Sequence, residues 1–477
     1  MGRVGIPKMR ELETLMHENS RDPRHARIVA NTKRILEKWT LDEDFQKAYR
    51  QDPSKALAET GLDVDPEAIR LLLVPNEEDT RTIKAAYAGE ISREALPEDY
   101  LLYRAFIREK LDMRERLRKE LCAPDEPRFK AWRMRQERRC WLEFGPSARC
   151  MIQAPLLFEL SDGCSVGCPF CAVSAKGLRG VFRHTEEHAA LWRDVLSRMH
   201  ALIGDAAGRG SCYYVSEGFD NPDYEEFLAD YFAEFGVVPQ TTTAVSTRNV
   251  ERTRALLRYG NENDPHIDRF SVLSPAMRDT LFESFSPEEL LLVELLPQFP
   301  EAPDNHLTEA GRNRIGAPED TVGGTIACAS GFVVNMQQKS VRLITPFVSD
   351  GAHPTGEWIL ETCSFSTAED LEGAVRRMIS QHMPERLELG SRCGASCGFR
   401  LEEKEGSIWV HGHGMGMDLM DATVGQEALD QLLILLGERE RTGYGILNAL
   451  PEDVDIALVI LLLKALWEHG LIDHTEA

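Results

Sequence analysis

Three cysteines, Cys164, Cys168 and Cys171, fall on one short segment with the spacing C-x3-C-x2-C. Cysteine sulfur is the ligand that iron-sulfur clusters take from proteins. Gly163 and Gly167 lack a Cβ, so the backbone of this segment can curl around a bulky inorganic group. Three thiolates leave one iron of a 4Fe-4S cluster without a protein ligand. The spacing therefore predicts a cluster with an open coordination position for a small molecule.

A structural zinc site is the alternative for the same cysteines. Such a site normally takes four ligands in two pairs, as when one C-x2-C is followed by another. Cys393 and Cys397 offer a second pair, but they stand far along the chain from the first three cysteines. The spacing therefore favours the cluster over zinc.

The segment resembles the cysteine loop of the radical S-adenosylmethionine enzymes, which reads C-x3-C-x-aromatic-C, with Phe170 at the aromatic position. The resemblance implies that Cys164, Cys168 and Cys171 hold a 4Fe-4S cluster and that S-adenosylmethionine binds the open iron. One electron then cleaves S-adenosylmethionine to a 5'-deoxyadenosyl radical, so the difficult chemistry belongs to the cofactor. An electron donor such as a flavodoxin or ferredoxin is the partner that this chemistry implies.

Apolar stretches typical of strands alternate with stretches of helical spacing, such as 223–232, through the middle of the chain. This alternation favours a parallel sheet, and about six strands match the partial barrel of the resembling superfamily. We predict an α/β fold with a partial (β/α)6 radical S-adenosylmethionine barrel over 150–350, a helical amino-terminal domain over 1–120 and a small winged-helix-like α+β region within 351–477. The strand candidates are 154–160, 212–215, 240–245, 269–273, 291–296, 325–327 and 341–344.

Polar residues follow several strand candidates, and ligands of such sheets bind at the carboxyl ends of the strands. Ser216-Glu217-Gly218 resembles the Gly-Gly-Glu motif of the superfamily, although a serine replaces one glycine. The resemblance implies that Glu217, with Ser216 beside it, receives the methionine amino group. An isolated serine or threonine after a strand is also an ordinary loop or helix-cap residue. Further candidates for cofactor contacts are Ser246, Thr247, Arg248, Ser271 and Ser274.

Within the superfamily, 219–224, 241–244 and 325–336 resemble the epimerases that mature ribosomally made peptides of the proteusin type. Those enzymes convert L-residues of a precursor peptide to D-residues, so a precursor peptide with a leader is the implied partner. A radical cyclase that forms thioether or carbon-carbon links is the alternative enzyme. The segment 45–66 is similar to proteusin leader peptides, and a plain helical domain that begins at Asp52-Pro53 explains the same pattern.

Inversion of a Cα centre requires a donor for the returning hydrogen, and a neutral cysteine thiol meets this need. Cys363 follows the last strand candidate, so we expect it to fold over the barrel mouth. Cys393, Cys397 and Cys328 are the further candidates. A buried cysteine is also a common small apolar filler. The same four cysteines are available for a second iron-sulfur cluster.

The carboxyl-terminal region has its own pattern. The stretch 400–411 predicts a hairpin around Glu405-Gly406, and helical stretches follow it. Strands followed by helices resemble a small winged-helix module of the type that captures leader peptides by adding a strand to a sheet edge. The resemblance implies recognition of the precursor peptide by this region.

Charge and apolarity limit the partners. Seventy-eight acidic against fifty-five basic residues give a net charge of -23, which opposes binding of nucleic acid through phosphate contacts. The amino-terminal segment is charged, and the most apolar stretch, 456–463, is too short for a membrane span. Eleven cysteines without a secretion signal favour a reducing, cytoplasmic compartment. A noncatalytic peptide-binding protein with zinc on its cysteines is the alternative from another class.

Overall fold

The computed structural model describes residues 22–474 except 306, 317, 319, 320 and 414. The described chain mixes helices and strands, as predicted for the α/β class. It divides into two compact units. The first contains the described residues up to Arg114, with Glu217–Phe219 and Gly236–Leu307. The second contains Glu115–Ser216, Asp220–Phe235 and the described residues from Thr308 onwards.

The helices and strands are numbered in chain order. The helices are α1 (Pro23–Leu41), α2 (Glu43–Gln51), α3 (Pro53–Thr60), α4 (Pro66–Leu73), α5 (Glu77–Ala88), α6 (Glu98–Arg116), α7 (Pro127–Phe144), α8 (Glu186–Ile203), α9 (Tyr224–Phe235), α10 (Val250–Asn263), α11 (Pro275–Ser284), α12 (Ala368–His382), α13 (Gln426–Glu438), α14 (Gly443–Leu447) and α15 (Ile456–Glu468). The strands are β1 (Ala154–Glu159), β2 (Ser161–Asp162), β3 (Gly180–Val181), β4 (Thr242–Thr243), β5 (Asp268–Val272), β6 (Val293–Pro297), β7 (Ala329–Asn335), β8 (Ser340–Pro346), β9 (Glu357–Ser364), β10 (Cys393–Ala395), β11 (Arg400–Lys404), β12 (Ser407–His411), β13 (Gly416–Met420) and β14 (Ile472–His474).

Helices α1 to α6 make up the amino-terminal part of the first unit. Capping residues set their ends: the side chain of Asp52 accepts the backbone N-H of Lys55 at the start of α3, and Gly61 ends α3 at φ +67°. The predicted helix start at Asp52-Pro53 is thus confirmed, and Gly61 ends this helix. The leader-like segment 45–66 is folded into α2, α3 and the start of α4, around a core that includes Tyr49 and Leu57.

A small parallel sheet in the order β4-β5-β6 forms the rest of the first unit. Phe270 of β5 pairs with Thr243 of β4 and with Leu295 of β6. One face of this sheet packs against α10 and α11 through an apolar core that includes Phe270, Leu257 and Leu281. The carboxyl ends of the three strands lie at one edge, as the alternation of strands and helices predicts.

The second unit contains a four-stranded sheet in the order β1-β7-β8-β9. β1 and β7 are parallel, whereas β7, β8 and β9 are antiparallel neighbours. Successive side chains of a strand point to opposite faces, and paired residues share a face. Phe158, Val334, Val341 and Cys363 form one such row across the sheet. Phe158 packs on Trp192 of α8 at 4.7 Å between ring centroids, so this row lies on the helix-covered face.

The opposite face of the same sheet carries Glu159 and Asn335, which pair with each other, and Arg342, which pairs with Val333. We refer to it as the Glu159 face. On this face, apolar residues of β1, β7 and β8 pack against Tyr214 in a small core. The two faces therefore differ in that helices cover one and charged residues lie on the other.

Three strand candidates differ from the prediction. No strand is assigned to 212–215 or to 325–327, and β7 begins at Ala329 instead. The stretch 341–344 lies in β8, which is antiparallel to its neighbours. The physical reason is the short connection between Asn335 and Ser340, because a parallel neighbour requires a long crossover. The parallel strands found here fall into two sheets, one in each unit. The partial barrel and the division into three domains therefore stay predictions.

The carboxyl-terminal region contains two small sheets and three helices. β11, β12 and β13 form an antiparallel sheet, and the predicted hairpin is confirmed because Lys404 pairs with Ser407 around a turn in which Glu405 and Gly406 both have positive φ. The stretch 456–463 lies in α15, whose buried residues Leu462 and Leu463 belong to the core of this region. Among the residues that the structure describes, no helix has the length and apolarity for a membrane span. The winged-helix resemblance stays a prediction.

Candidate metal centre

The cysteine loop begins directly after β2, close to the carboxyl end of β1. β2 pairs with β3, so the stretch between them is closed into a loop. Gly163 has φ +89°, and a Cβ at this position would overlap the carbonyl oxygen of Gly177. The N-H of Cys164 donates to the carbonyl oxygen of Lys176 at 2.9 Å. The loop is therefore fixed at its first turn by a close backbone approach that only glycine allows.

None of the three cysteines of the loop is in a disulfide, and each is partly exposed. Backbone amides donate to two of the sulfurs: Val166 to Cys164 Sγ and Ala175 to Cys171 Sγ, each at 3.4 Å. Burial, followed by the neighbouring Cys171 and Cys164, raises the pKa of the Cys168 thiol to about 11. The three sulfurs are thus close enough to oppose one another's ionisation, so a cationic group is needed before all three become thiolates.

A single metal ion and a 4Fe-4S cluster make different demands on three sulfurs. In the described part of the chain, no three His, Cys, Asp or Glu side chains lie close enough to hold one ion. Each thiolate of a 4Fe-4S site binds a different iron, so its sulfurs need not converge on one point. The accessible thiols, the amide donors and the spacing of the sulfurs fit a cluster better than a zinc ion.

Arg312 is a residue of this site that the sequence did not reveal. Its backbone N-H donates to the carbonyl oxygen of Cys171 at 3.0 Å, its Nε to that of Cys168 at 2.9 Å and its Nη1 to that of Ala175 at 2.7 Å. The preceding Gly311 has φ +54°, and a Cβ there would overlap the carbonyl oxygen of Ala172. One arginine therefore fixes the second half of the cysteine loop and brings a positive charge to it.

Two further predicted residues of the second unit are Phe170 and Ser216. Phe170 is within the cysteine loop and Ser216 lies at the end of the stretch 115–216, and both are partly buried. Asp220 was not predicted as a site residue, yet its Oδ2 accepts the backbone N-H of Ser165 at 2.7 Å. The segment 219–224, which carries part of the family resemblance, thus contributes a direct contact to the cysteine loop.

Glu217 belongs to the first unit, where its carboxylate links two backbone segments. Oε2 accepts the N-H of Ala244 at 2.8 Å and Oε1 accepts the N-H of Phe219 at 3.2 Å. The side chain is almost fully buried. Glu217 therefore has a structural function beside any function in cofactor binding.

The other strand-end candidates of the first unit divide into two kinds. Ser274 caps α11, because its Oγ accepts the backbone N-H of Met277 at 3.2 Å. Ser246 is fully buried, and its hydroxyl makes no hydrogen bond within the described residues. Ser271 is buried in β5, whereas Thr247 is partly buried and Arg248 exposed. Among these candidates, Ser246 therefore has the hydroxyl that is best suited to hydrogen-bond a ligand.

Cys363 lies in a strand that the sequence analysis did not predict. It stands within β9 and pairs with Val341, instead of following the last strand, so its side chain is on the helix-covered face. Its thiol donates to Glu361 Oε1 at 3.1 Å and accepts Arg377 Nη2 of α12 at 2.7 Å. Burial and the carboxylate of Glu361 raise the pKa of this thiol. Strand alternation turns Cys363 away from the Glu159 face, and its expected position over a barrel mouth stays a prediction.

The structure does not bring the four donor candidates into one group. Cys393 and Cys397 are buried in the core of the carboxyl-terminal region. Burial raises the pKa of Cys393 to about 11 and that of Cys397 well above its usual value. Cys328 precedes β7, and its carbonyl oxygen accepts the N-H of Ala154 at 2.8 Å. Cys393 and Cys397 thus share one buried core, whereas Cys363 and Cys328 lie elsewhere. Which of the four thiols returns hydrogen stays a prediction.

Glu159 is a third residue that the sequence analysis did not single out, after Arg312 and Asp220. Its Oε1 accepts the N-H of Val215 at 2.8 Å, and its Oε2 accepts Asn335 Nδ2 at 3.0 Å and Arg342 Nη2 at 3.4 Å. The side chain is buried at the end of β1. A single carboxylate in the apolar stretch 154–160 was the available signal, because charged residues are rarely buried without partners.

Comparison with known proteins gives two similarities. No family model matches the chain. The structure is similar to the crystal structure of BtrN in complex with AdoMet and 2-DOIA, with a TM-score of 0.29 and 15% identity over 39% of this chain and 71% of that chain, and so low a score does not establish a shared fold. The sequence is 37% identical over 383 residues to the uncharacterized protein y4wI of Sinorhizobium fredii (strain NBRC 101917 / NGR234), which covers 77% of this chain and 73% of that protein. The chain therefore belongs to the same protein family as y4wI.

Proposed function

We propose that the protein is a radical S-adenosylmethionine enzyme that converts L-residues of a ribosomally synthesised precursor peptide to D-residues. The observation that carries the proposal is the loop of Cys164, Cys168 and Cys171. Its thiols are unpaired by disulfides, partly exposed and held on one backbone turn. When bound there, a 4Fe-4S cluster with S-adenosylmethionine supplies a 5'-deoxyadenosyl radical.

Four residues have separate functions in this proposal. Gly163 and Arg312 keep the loop in one conformation, so that the three sulfurs are arranged before iron binds. The negative charge of the Glu217 carboxylate suits the methionine amino group, and the buried hydroxyl of Ser246, which has no hydrogen bond within the described residues, suits a polar group of the cofactor. These contacts orient the cofactor, and none of them carries out the chemistry itself.

Peptide inversion needs a thiol that stays protonated. Burial raises the pKa of Cys363, Cys393 and Cys397, which favours the neutral S-H form that donates a hydrogen atom. The resemblance of 219–224, 241–244 and 325–336 to the proteusin-type epimerases supports inversion as the outcome. The sheet β11-β12-β13 ends in the strand β13, whose outer edge suits capture of a leader peptide by strand addition.

The first experiment tests the cofactor. The full chain is purified without oxygen, reconstituted with iron and sulfide, and reduced with dithionite in the presence of S-adenosylmethionine. We expect iron and sulfide in the ratio of a 4Fe-4S cluster, its paramagnetic resonance signal, and release of 5'-deoxyadenosine. A reconstituted protein that contains no iron, or that never cleaves S-adenosylmethionine, would contradict the proposal.

The second experiment tests inversion in deuterated water with precursor peptides that carry a proteusin-type leader. Each inverted residue should gain one deuterium at Cα, because the donor thiol exchanges with solvent. Alanine variants of Cys328, Cys363, Cys393 and Cys397 are then compared, and the variant of the donor should cleave S-adenosylmethionine without inverting the peptide. An inverted residue without deuterium would refute the thiol donor, and a product that has lost two hydrogens would identify a cyclase.

A further inference from the structure

The Glu159 face of the four-stranded sheet is exposed along most of β9, whereas Ile344 of β8 is buried in the small core of this face. Arg342 pairs with Thr362, and Ile344 pairs with Ile359, so these residues share that face. Thr362 is exposed, and Ile359 retains 44% of its accessible surface. Ser364, which pairs with Ser340 on the same face, is exposed as well. The exposed residues around Arg342 on this face are uncharged, and the carboxylates of the face, Glu159 and Glu357, are buried. We refer to this part of the face as the Arg342 surface.

Arg342 has unused donors on this surface. Its one polar contact among the described residues is with Glu159 Oε2 at 3.4 Å, which is long for a charge-assisted hydrogen bond, where about 2.7–2.9 Å is usual. Glu159 already accepts from Val215 and Asn335 at shorter distances. A guanidinium group carries five N-H donors, and the Arg342 side chain is 22% exposed. The arginine can therefore pair with an external anion without giving up Glu159.

The surface lies next to the cysteine loop. Asn335 Nδ2 donates to the carbonyl oxygen of Ser161 at 3.1 Å, and Gln338 Nε2 donates to Asp162 Oδ1 at 2.7 Å. These bonds join the connection between β7 and β8 to the two residues from which the cysteine loop starts. A ligand on the Arg342 surface would thus be close to the loop that carries the cysteines.

We propose that the Arg342 surface binds an extended segment of the peptide substrate and that Arg342 takes the carboxylate of an acidic side chain in that segment. This inference rests on the proposed function, because it names a feature of the peptide on which the enzyme acts. The argument is charge complementarity: in a chain of net charge -23, this surface offers a cation and uncharged neighbours. Ile359 and Thr362 supply apolar and hydroxyl contacts beside the ion pair.

The test measures the binding of two synthetic peptides to the full-length protein by titration calorimetry. The first probe is acetyl-Ala-Thr-Val-Glu-Val-Thr-Ala-amide, and the second has glutamine in place of the glutamate. We expect the wild-type protein to bind the glutamate peptide at least about fivefold more tightly, the size of a partly exposed charge-assisted hydrogen bond. Arg342→Gln should remove this preference and Arg342→Lys should retain part of it.

Arg376→Gln is the matched control, because Arg376 is an exposed arginine of α12 that pairs with Glu372. This variant should keep the full preference for the glutamate peptide. Equal binding of both peptides by the wild-type protein, or an unchanged preference in Arg342→Gln, would overturn the inference. So would a loss of S-adenosylmethionine binding in Arg342→Gln with an unchanged peptide preference, because the arginine would then hold the cofactor carboxylate.

The calorimetry needs no cluster, so the two proposals fail separately. A preference that depends on Arg342 in a protein that never cleaves S-adenosylmethionine would support the anion site and overturn the proposed function. Cleavage of S-adenosylmethionine by a protein without the preference would support the proposed function and overturn the anion site.

Discussion

The cysteine loop of the second unit and the polar residues at the strand ends of the first unit differ in how their side chains are used. In the loop, glycine backbone and Arg312 make the structural contacts, and the cysteine side chains are left for a ligand. At the strand ends, Glu217 and Ser274 make structural hydrogen bonds themselves. A site is easier to recognise where backbone atoms and a neighbouring residue, and not the candidate ligands, make most of the structural hydrogen bonds.

The largest expected effect is the loss of iron when a cysteine of the loop, but not a cysteine elsewhere in the chain, is replaced. Cys168→Ala removes one of three sulfur ligands, so the reconstituted protein should lose most of its iron and all release of 5'-deoxyadenosine. Cys150→Ala is the control, because Cys150 is exposed and outside the loop. Iron analysis and product chromatography measure both. Equal losses in the two variants would show that the loop is not the cluster site.

The next effect tests whether Arg312 holds the loop. Arg312→Gln removes donors to the carbonyl oxygens of Cys168 and Ala175, and a lost contact behind the ligands typically costs about tenfold or more in metal affinity. Loss of iron to a chelator should be faster by about that factor. Arg314→Gln is the control, because Arg314 donates to Ser349 and Thr321. If Arg312→Gln loses iron to the chelator at the wild-type rate, the glycines of the loop and not Arg312 hold its conformation.

Glu217 is expected to affect both stability and cofactor binding. In Glu217→Gln the amide nitrogen cannot accept, so one of the two backbone N-H groups, of Ala244 or Phe219, loses its partner. The unfolding free energy should fall by about 1–3 kcal/mol, measured by urea denaturation. If Glu217 also receives the methionine amino group, the KM of the variant for S-adenosylmethionine should be higher than that of the wild-type protein. The two KM values are compared under conditions in which the urea denaturation curves show both proteins to be folded. A fall in stability with unchanged KM would leave Glu217 a structural residue.

The smallest effects contrast two serines of the same unit. Ser274→Ala should lower the unfolding free energy by about 1 kcal/mol, because α11 loses its cap, and leave S-adenosylmethionine affinity unchanged. Ser246→Ala should leave stability equal or slightly higher, because it removes a buried hydroxyl without a partner, and should weaken cofactor affinity. If both variants change stability and S-adenosylmethionine affinity in the same way, the two serines do not differ in function as proposed.

Much of this arrangement follows from local sequence. The spacing of Cys164, Cys168 and Cys171, the glycine at position 163 and the hairpin at Glu405-Gly406 depend on neighbouring residues, and the structure agrees with the glycine and the hairpin. The antiparallel direction of β8 was also accessible, because only a short turn separates it from β7. A chain that returns so soon cannot form a parallel neighbour.

The remaining features depend on contacts between distant parts of the chain. Arg312 reaches the carbonyl oxygen of Cys168 across 144 positions, and nothing near it in the sequence indicates that contact. The face on which Cys363 lies depends on its register with Val341, and a shift of one residue would reverse it. The single carboxylate in β1 was visible, but its partners on β7 and β8 were not.

The pairing of β1 with β7 has a consequence for how the protein is made. Ala154–Glu159 leave the ribosome long before Ala329–Asn335, so the nascent cysteine segment stays without its partner strand during much of synthesis. Long-range parallel pairing of this kind forms slowly. Until this pairing forms, the three thiols of the nascent chain are exposed to oxygen and to other metal ions. The yield of intact enzyme should therefore be higher when the oxygen concentration is low during translation.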